Sequence, residues 1–303
     1  MNKHNGWVRA IRMDWMLYLF LMPGVLYFII FKYLPMYGVI IAFQDYTPFK
    51  GISGSEFVGF EHFRKFFEDS EFLIVLRNTL LISLYKLLFG FPVPILLALM
   101  LNEARVRWFN KTAQTLFYIP HFFSWVIFGG IVLQSLSSTG IINTIIEWFG
   151  GQPIIFMKES GYFRTILVVS DIIKESGWAS IVYLAAIAGV DPSLYEAAKM
   201  DGAKKWQQIR HITLPGIQST IIVLFILQLG NILELGVQQV FMLYNPLVYN
   251  VGDIIDTYVY RVGLTQQKYS FATAVGLFQS TVGLVLIYAA NFVTKRMGKG
   301  GLW

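Results

Sequence analysis

The chain alternates long apolar runs with short polar stretches, and an apolar run of about 20 residues is enough to cross the roughly 30 Å hydrocarbon layer of a bilayer. The first run extends from about Trp15 past Leu34, with Pro23-Gly24 as an expected kink. The second runs from about Ile74 to Leu101, the third from about Thr115 to Leu136, and the fourth from Arg164 to Val190. The fifth runs from about Gly216 to Leu243 and the last from Phe271 to Val293. Residues 44–72 lie between the first two runs. In them Phe57, Phe60, Phe63, Phe66 and Phe67 recur at helical spacing, which predicts a helix lying in the membrane interface or packed on the mouth of the bundle. A further short helix is expected over Ile141–Phe149, ended by Gly150-Gly151.

Charge decides the orientation. Lys3, Arg9 and Arg12 precede the first run. Arg105, Arg107 and Lys111 follow the second, Lys199, Lys204, Lys205 and Arg210 follow the fourth, and Lys295, Arg296 and Lys299 follow the last. By the positive-inside rule every one of these stretches is cytoplasmic. The expectation is an all-α membrane protein with six transmembrane helices and both termini in the cytoplasm, in which residues 1–303 form a single transmembrane domain. The first run is too long for a signal-peptide core and has no small-residue cleavage site behind it, so it reads as an uncleaved helix.

Composition agrees and removes several classes of function. Hydrophobic residues make up 55% of the chain and charged residues 14%, against roughly 25% charged in soluble domains. The net charge of +6 sits in the short loops and therefore writes topology, so no nucleic-acid partner is expected. There is no cysteine, which excludes disulfides, thiolate metal sites and cysteine nucleophiles. No G-x-x-x-x-G-K-[ST] phosphate loop, HExxH or GxSxG occurs, and His4, His62, His121 and His211 lack metal-ligand spacing. Neither catalytic residues, a metal nor a cofactor is expected, and the chain is not an enzyme on its own.

Two apolar runs nevertheless carry polar side chains, each of which needs a reason in mid-membrane. The fourth holds Ser170, Asp171, Lys174, Glu175 and Trp178 on one helical face, with Asp171 and Lys174 spaced to pair at i, i+3. The fifth holds Gln228, Asn231, Glu234 and Gln238, with Gln239 adjacent. Asp171, Lys174, Glu175, Trp178, Asn231, Glu234 and Gln238 are the candidate substrate-pathway residues. Planar donor–acceptor groups beside an aromatic face such as Trp178 or Tyr183 suit a hydroxyl-rich solute. The same stripes also fit polar glue against a partner subunit. Lys86 and Gln134 read as structural, Gly189, Gly230, Gly236 and Gly276 as packing or unwinding positions, and Asp253 and Asp256 as loop-cap or salt-bridge residues. Lys174 and Arg261 could meet an acidic group of a solute or simply be paired.

Between the fourth and fifth runs lies a hydrophilic island, EAAKMDGAKKWQQIRHITLP, over Glu196–Pro215. Asp191 can cap a helix that has Pro192 at its first position, Gly202 can stop that helix in the left-handed conformation, and a second short helix leads to Pro215. Glu196-Ala197-Ala198, three residues, Gly202, nine residues, Ile212, one residue and Leu214-Pro215 follow a strict spacing. This pattern resembles the EAA loop of ABC importer permeases, and the run from Leu229 to Leu264, with FVGFEHFRKFF and RNTLLIS upstream, resembles the oligosaccharide-importing, maltose-type branch. The resemblance implies a type I importer permease bundle whose 191–215 loop docks on a cytoplasmic ATPase. Glu196, Ala197, Ala198, Gly202, Ile212, Leu214 and Pro215 would be the coupling residues. It also implies a second homologous permease, two ATPase subunits, an extracytoplasmic binding protein that delivers an oligosaccharide, and residence in the bacterial cell membrane. An ion-driven secondary transporter or channel is the alternative, favoured only by the Asp171–Lys174–Glu175 cluster, and a non-transporting scaffold or sensor is a further one.

Overall fold

The computed structural model describes residues 13–104, 106–296, 298 and 301–302. The basic residues Lys3, Arg9, Arg12, Arg105 and Lys299 on which part of the orientation argument rests lie outside them. Contacts divide the chain into two compact units, residues 1–66 with 262–277 and residues 67–261 with 278–303.

In the first unit, α1 (Trp15–Phe43) is one helix of 29 residues that continues through Pro23, with a π-helical turn at Ile29–Tyr33. Ala42 is its single buried residue among those described. Such a helix, apolar all round and uncovered, suits lipid or another subunit. It leads into a two-stranded antiparallel ribbon, β1 (Gln44–Asp45) and β2 (Glu56–Phe57), with Gln44 opposite Phe57. Then follows α2 (Glu61–Glu68). The phenylalanine periodicity is thus split: Phe57 ends a strand, while Phe66 is buried and Phe60 and Phe67 stay exposed.

The second unit is built around α7 (Ser160–Ala188), a 29-residue helix that packs along α3 (Ser70–Glu103) and α4 (Arg107–Phe122). One apolar cluster surrounds Phe163 and Leu167, with Ile82, Val240 and Leu243. Another surrounds Tyr183 and Ile187, with Ala98, Leu99 and Ile217. Close approach to α4 depends on Gly177, where a Cβ would fall 1.9 Å from the carbonyl oxygen of Phe117.

Two apolar runs do not form straight helices. The third is split into α4 and α5 (Trp125–Ser135), bent by 107°, because Pro120 lacks an N–H and Ser124 is extended, its hydroxyl accepting from the Ile127 N–H to start α5. The short α6 (Ile141–Trp148) follows as expected, and the side chain of Asn143 bonds Ser137 and both backbone groups of Ile154. The fifth run ends as a helix at Gly230. α10 (Gln218–Gly230) gives way to an unwound stretch over 231–236, closed by Gly236 at φ +85, before α11 (Val237–Leu243) resumes. α12 (Ile255–Tyr260) follows, and α13 (Tyr269–Arg296) is the last of the described helices. Among the described residues, three helices are long and apolar enough to cross a membrane, or up to six if each bent pair counts as one span.

Candidate functional site

The hairpin after α7 consists of α8 (Pro192–Met200) and α9 (Lys205–Gly216), the latter containing a π-helical turn at Ile209–Thr213. The Asp191 carboxylate accepts the Ser193 N–H at 2.9 Å and starts α8. That bond to the ionised form holds its carboxyl below the usual value. Gly202 ends α8 at φ +76 in a Schellman arrangement. The Ala203 N–H donates to the Ala198 carbonyl at 2.8 Å and the Gly202 N–H to the Lys199 carbonyl at 3.0 Å. The two arms are tied by Tyr195 and Thr213 hydroxyls 3.0 Å apart and by the buried Gln208 amide donating to the Ala203 carbonyl. Leu194, Met200 and Trp206 are left exposed on this braced hairpin, together with Glu196 and Ala197. Ala198, Ile212 and Leu214 are half-buried, and Pro215 is exposed.

The polar stripes meet in one cleft. Its centre is Lys86, at the start of a π-helical turn (Lys86–Gly90) inside α3. Its Nζ donates to Asp171 Oδ1 at 2.9 Å, Gln239 Oε1 at 2.7 Å and the Leu235 carbonyl at 3.4 Å. Lys86 is therefore no isolated structural residue, and Asp171 does not pair with Lys174. The spacing within one helix suggested the nearer partner, but the neighbouring helix offers a cation at better geometry. Gln239 in turn donates to the Leu167 carbonyl and the Ser170 hydroxyl. The unwound 231–236 stretch is held from several sides. Ser83 donates to the Ile232 carbonyl, Gln279 to the Leu233 carbonyl and Asp256, and the Asp256 carboxylate accepts the Leu235 N–H. Peptide groups that would be orphaned in lipid are satisfied this way.

Two cavities share Lys86, Asp171 and Gln228. One of about 240 Å³ is lined also by Glu175, Ser176 and Tyr183, and one of about 380 Å³ by Ser83, Asn231 and Glu234. Lys174 turns away, buried at 6% side-chain exposure, and bonds Glu175 Oε1 at 2.8 Å and the His121 carbonyl at 3.0 Å. The other oxygen of Glu175 lies 2.6 Å from His121 Nδ1. Trp178 stacks on the His121 ring with centroids 4.6 Å apart, which covers one of its faces. Of the predicted pathway residues, Asp171, Glu175, Asn231 and Glu234 line the cavities. Lys174 and Trp178 instead brace the α4–α5 bend, and Gln238 is exposed outside the lining. Among the described residues no cluster of His, Cys, Asp or Glu could hold a metal. Lys86 and His121 escaped sequence reasoning because their partners lie far away in the chain. Arg261, by contrast, is paired as one of its two expected roles required, with Glu71 at 2.5 Å and Asp253 at 2.8 Å. Although burial opposes its charge, these two carboxylates hold its guanidinium above the usual value.

A bundle of apolar helices, a polar cleft against an unwound helix, and a braced hairpin at the end of the central helix define a membrane transport subunit. Residues 90–299 match the family described as binding-protein-dependent transport system inner membrane component. The chain is 49% identical over 303 residues to Protein LplB of Bacillus subtilis (strain 168), covering 100% of this chain and 95% of that one. It is 50% identical over 288 residues to the polygalacturonan/rhamnogalacturonan transport system permease protein YteP of the same organism, covering 95% and 90%. A chain in the crystal structure of a bacterial alginate ABC transporter in complex with alginate pentasaccharide-bound periplasmic protein superposes with TM-score 0.89 at 44% identity, covering 97% of this chain and 99% of that chain. The chain belongs to this family and is a permease of the carbohydrate ABC importer type.

Proposed function

We propose that the chain passes an oligosaccharide, released from an extracytoplasmic binding protein, across the bacterial cell membrane by alternating access, with ATP hydrolysis supplied by two separate cytoplasmic ATPase subunits. In this reading residues 1–303 are one transmembrane domain of six spans with both termini cytoplasmic, the bent pair α4–α5, α7 and the fifth run from α10 supplying the three spans beyond the three long helices. A second homologous permease completes the pathway. The two cavities lie near or below the low end of the roughly 300–1,000 Å³ typical of ligand pockets, as suits one wall of a site shared with a partner. The relatives named for polygalacturonan/rhamnogalacturonan and the alginate transporter support a saccharide rich in uronic acid.

The observation that carries the reading is the 191–215 hairpin. It is capped at Asp191, turned at Gly202, cross-braced at Tyr195–Thr213, and presents Leu194, Met200 and Trp206 outward. Apolar side chains on a rigid exposed hairpin are the anchors a protein partner buries. Glu196 would make the polar contact in the ATPase cleft, Ala197 and Ala198 would permit close approach, Gly202 would set the turn, and Ile212, Leu214 and Pro215 would lead the movement into the fifth span. The test is a mild-detergent pull-down of the tagged protein from its native host. An ATPase and a second permease should be recovered, and the ATPase should be lost in Gly202→Asp. A chain that is purified alone and moves solute in liposomes under an ion gradient would establish the ion-driven alternative.

A further inference from the structure

Beside the cleft, at the end of α7 opposite the hairpin, lies a larger cavity of about 800 Å³. It is lined by Tyr85 and Phe89 of α3, by Ser160, Arg164 and Thr165 of α7, and by Val251. Ile172 lines both this cavity and the smaller of the two that share Lys86, so the two spaces adjoin. Arg164 is half-buried here and has only neutral partners among the described residues: Nη2 donates to Asn78 Oδ1 at 2.8 Å and Nε to the Val251 carbonyl at 3.2 Å. Its guanidinium has no carboxylate within ion-pairing distance among the described residues.

By contrast, Lys86 is neutralised by Asp171, Lys174 by Glu175, and Arg261 by Asp253 and Glu71. An uncompensated guanidinium beside apolar helices is costly unless water or an anion reaches it. Asn78 and Val251 hold Nη2 and Nε, which share one edge of the Arg164 guanidinium, and so fix its plane, leaving the Nη1–Nη2 edge suited to a planar, two-oxygen anion. Aromatic rings and hydroxyls around the same space suit a pyranose ring. A lipid phosphate would meet the charge but has no use for Ser160 and Thr165 or for continuity with the polar cleft.

We propose that Arg164, walled by Tyr85 and Phe89, forms a subsite for the carboxylate of a uronic-acid residue of the transported saccharide. This rests on the importer reading above. The subsite explains how an acidic solute could approach a cleft whose own lining carries Asp171, Glu175 and Glu234. The charge is met first at Arg164, before those carboxylates.

The test uses the complete importer, reconstituted with its partner subunits and binding protein in proteoliposomes, and trigalacturonate as probe. Arg164→Gln should lower the uptake rate at saturating binding protein at least tenfold. Arg164→Lys should stay within threefold of wild type, and in both variants complex assembly and basal ATP hydrolysis should be unchanged. The same ratios are expected in zwitterionic and in anionic lipid. Equal losses in the two variants would assign Arg164 a structural role, and a defect that follows lipid charge would assign the site to a headgroup. Undiminished uptake in Arg164→Gln also overturns the subsite. If wild type imports a neutral trisaccharide but not trigalacturonate, the subsite fails and the importer reading stands. If it imports neither, the importer reading fails and takes the subsite with it.

Discussion

The ion pair between Lys86 and Asp171 joins α3 to α7 and, through the Leu235 carbonyl and Gln239, also holds the end of the unwound stretch in the fifth run. Replacing Lys86 by Met keeps an unbranched apolar stem, one atom shorter, and removes all three bonds. Breaking a fully buried pair costs roughly 3–5 kcal/mol because an uncompensated charge remains. Asp171 retains 27% side-chain exposure in the cleft, so water recovers part of that loss, and about 2–3 kcal/mol is expected for Lys86→Met. Asp171→Asn leaves Lys86 its bonds to Gln239 and Leu235 and should cost less, about 1–2 kcal/mol. The double variant has no orphaned charge and should be more stable than the sum of the single effects by about 1–2 kcal/mol. The assay is reversible SDS-titrated unfolding of the purified complex for wild type and all three variants. Additivity to within about 0.5 kcal/mol would show that the two groups do not depend on each other and refute the role given to the pair.

Three further outcomes follow from the same geometry. Gly202→Asp forces a side chain into the left-handed region at a backbone cost of roughly 1–2 kcal/mol; transport should be abolished with membrane abundance retained, and uptake assays with quantitative immunoblotting of membranes check it. Gly177→Leu places a side chain against the Phe117 carbonyl, where a Cβ alone would fall at 1.9 Å, so α4 and α7 must separate and folded protein should fall several-fold by fluorescence-detected size exclusion. The Asp191 carboxyl titrates lower folded than unfolded, so its cap is fully present above the unfolded value and is lost as pH falls through the folded one. Hydrogen exchange of residues 192–200 should accelerate across that acid window in wild type and show no such step in Asp191→Asn.

What the sequence made legible was whatever is local. Asp191, Pro192 and Gly202 act within a few residues of themselves, and each adopts the role its chemistry dictates. The short helix at Ile141–Trp148 and the assignment of Asp253 to an ion pair came through for the same reason. The failures are all non-local. Lys86 is 85 residues from Asp171 and 153 from Gln239, and His121 is 54 from Glu175, so no spacing rule reaches them. The break in the third run was missed because apolar composition says that a segment is buried in lipid or protein without saying that it is continuous, whereas in the fifth run Gly230 and Gly236 flank the unwound stretch, one of the two roles expected of them. At 231–236 the hydrogen bonds a helix would make are replaced by side chains from α3, α12 and α13.

Those replacements bear directly on how the proposed coupling would work. α7 is a single helix of 29 residues, about 43 Å at the usual rise, and it runs unbroken from the Arg164 cavity past the cleft to the hairpin. On that one rod Asp171 holds α3, while Lys174, Glu175 and Trp178 hold the bend between α4 and α5. The fifth run, which leaves the other arm of the hairpin, is instead interrupted at 231–236. Under the proposed coupling, a push on the hairpin therefore reaches the cleft along α7 as a rigid displacement, while the unwound stretch takes up the strain as a hinge. Stiffening that hinge separates the two roles. Gly236→Ala, disfavoured at φ +85, should shift the conformation without touching the hairpin. ATPase recruitment should then persist while transport falls, measured by pull-down and uptake on the same membranes. Loss of recruitment in Gly236→Ala would mean that hairpin and cleft are not mechanically separable, and the rod-and-hinge argument would not survive it.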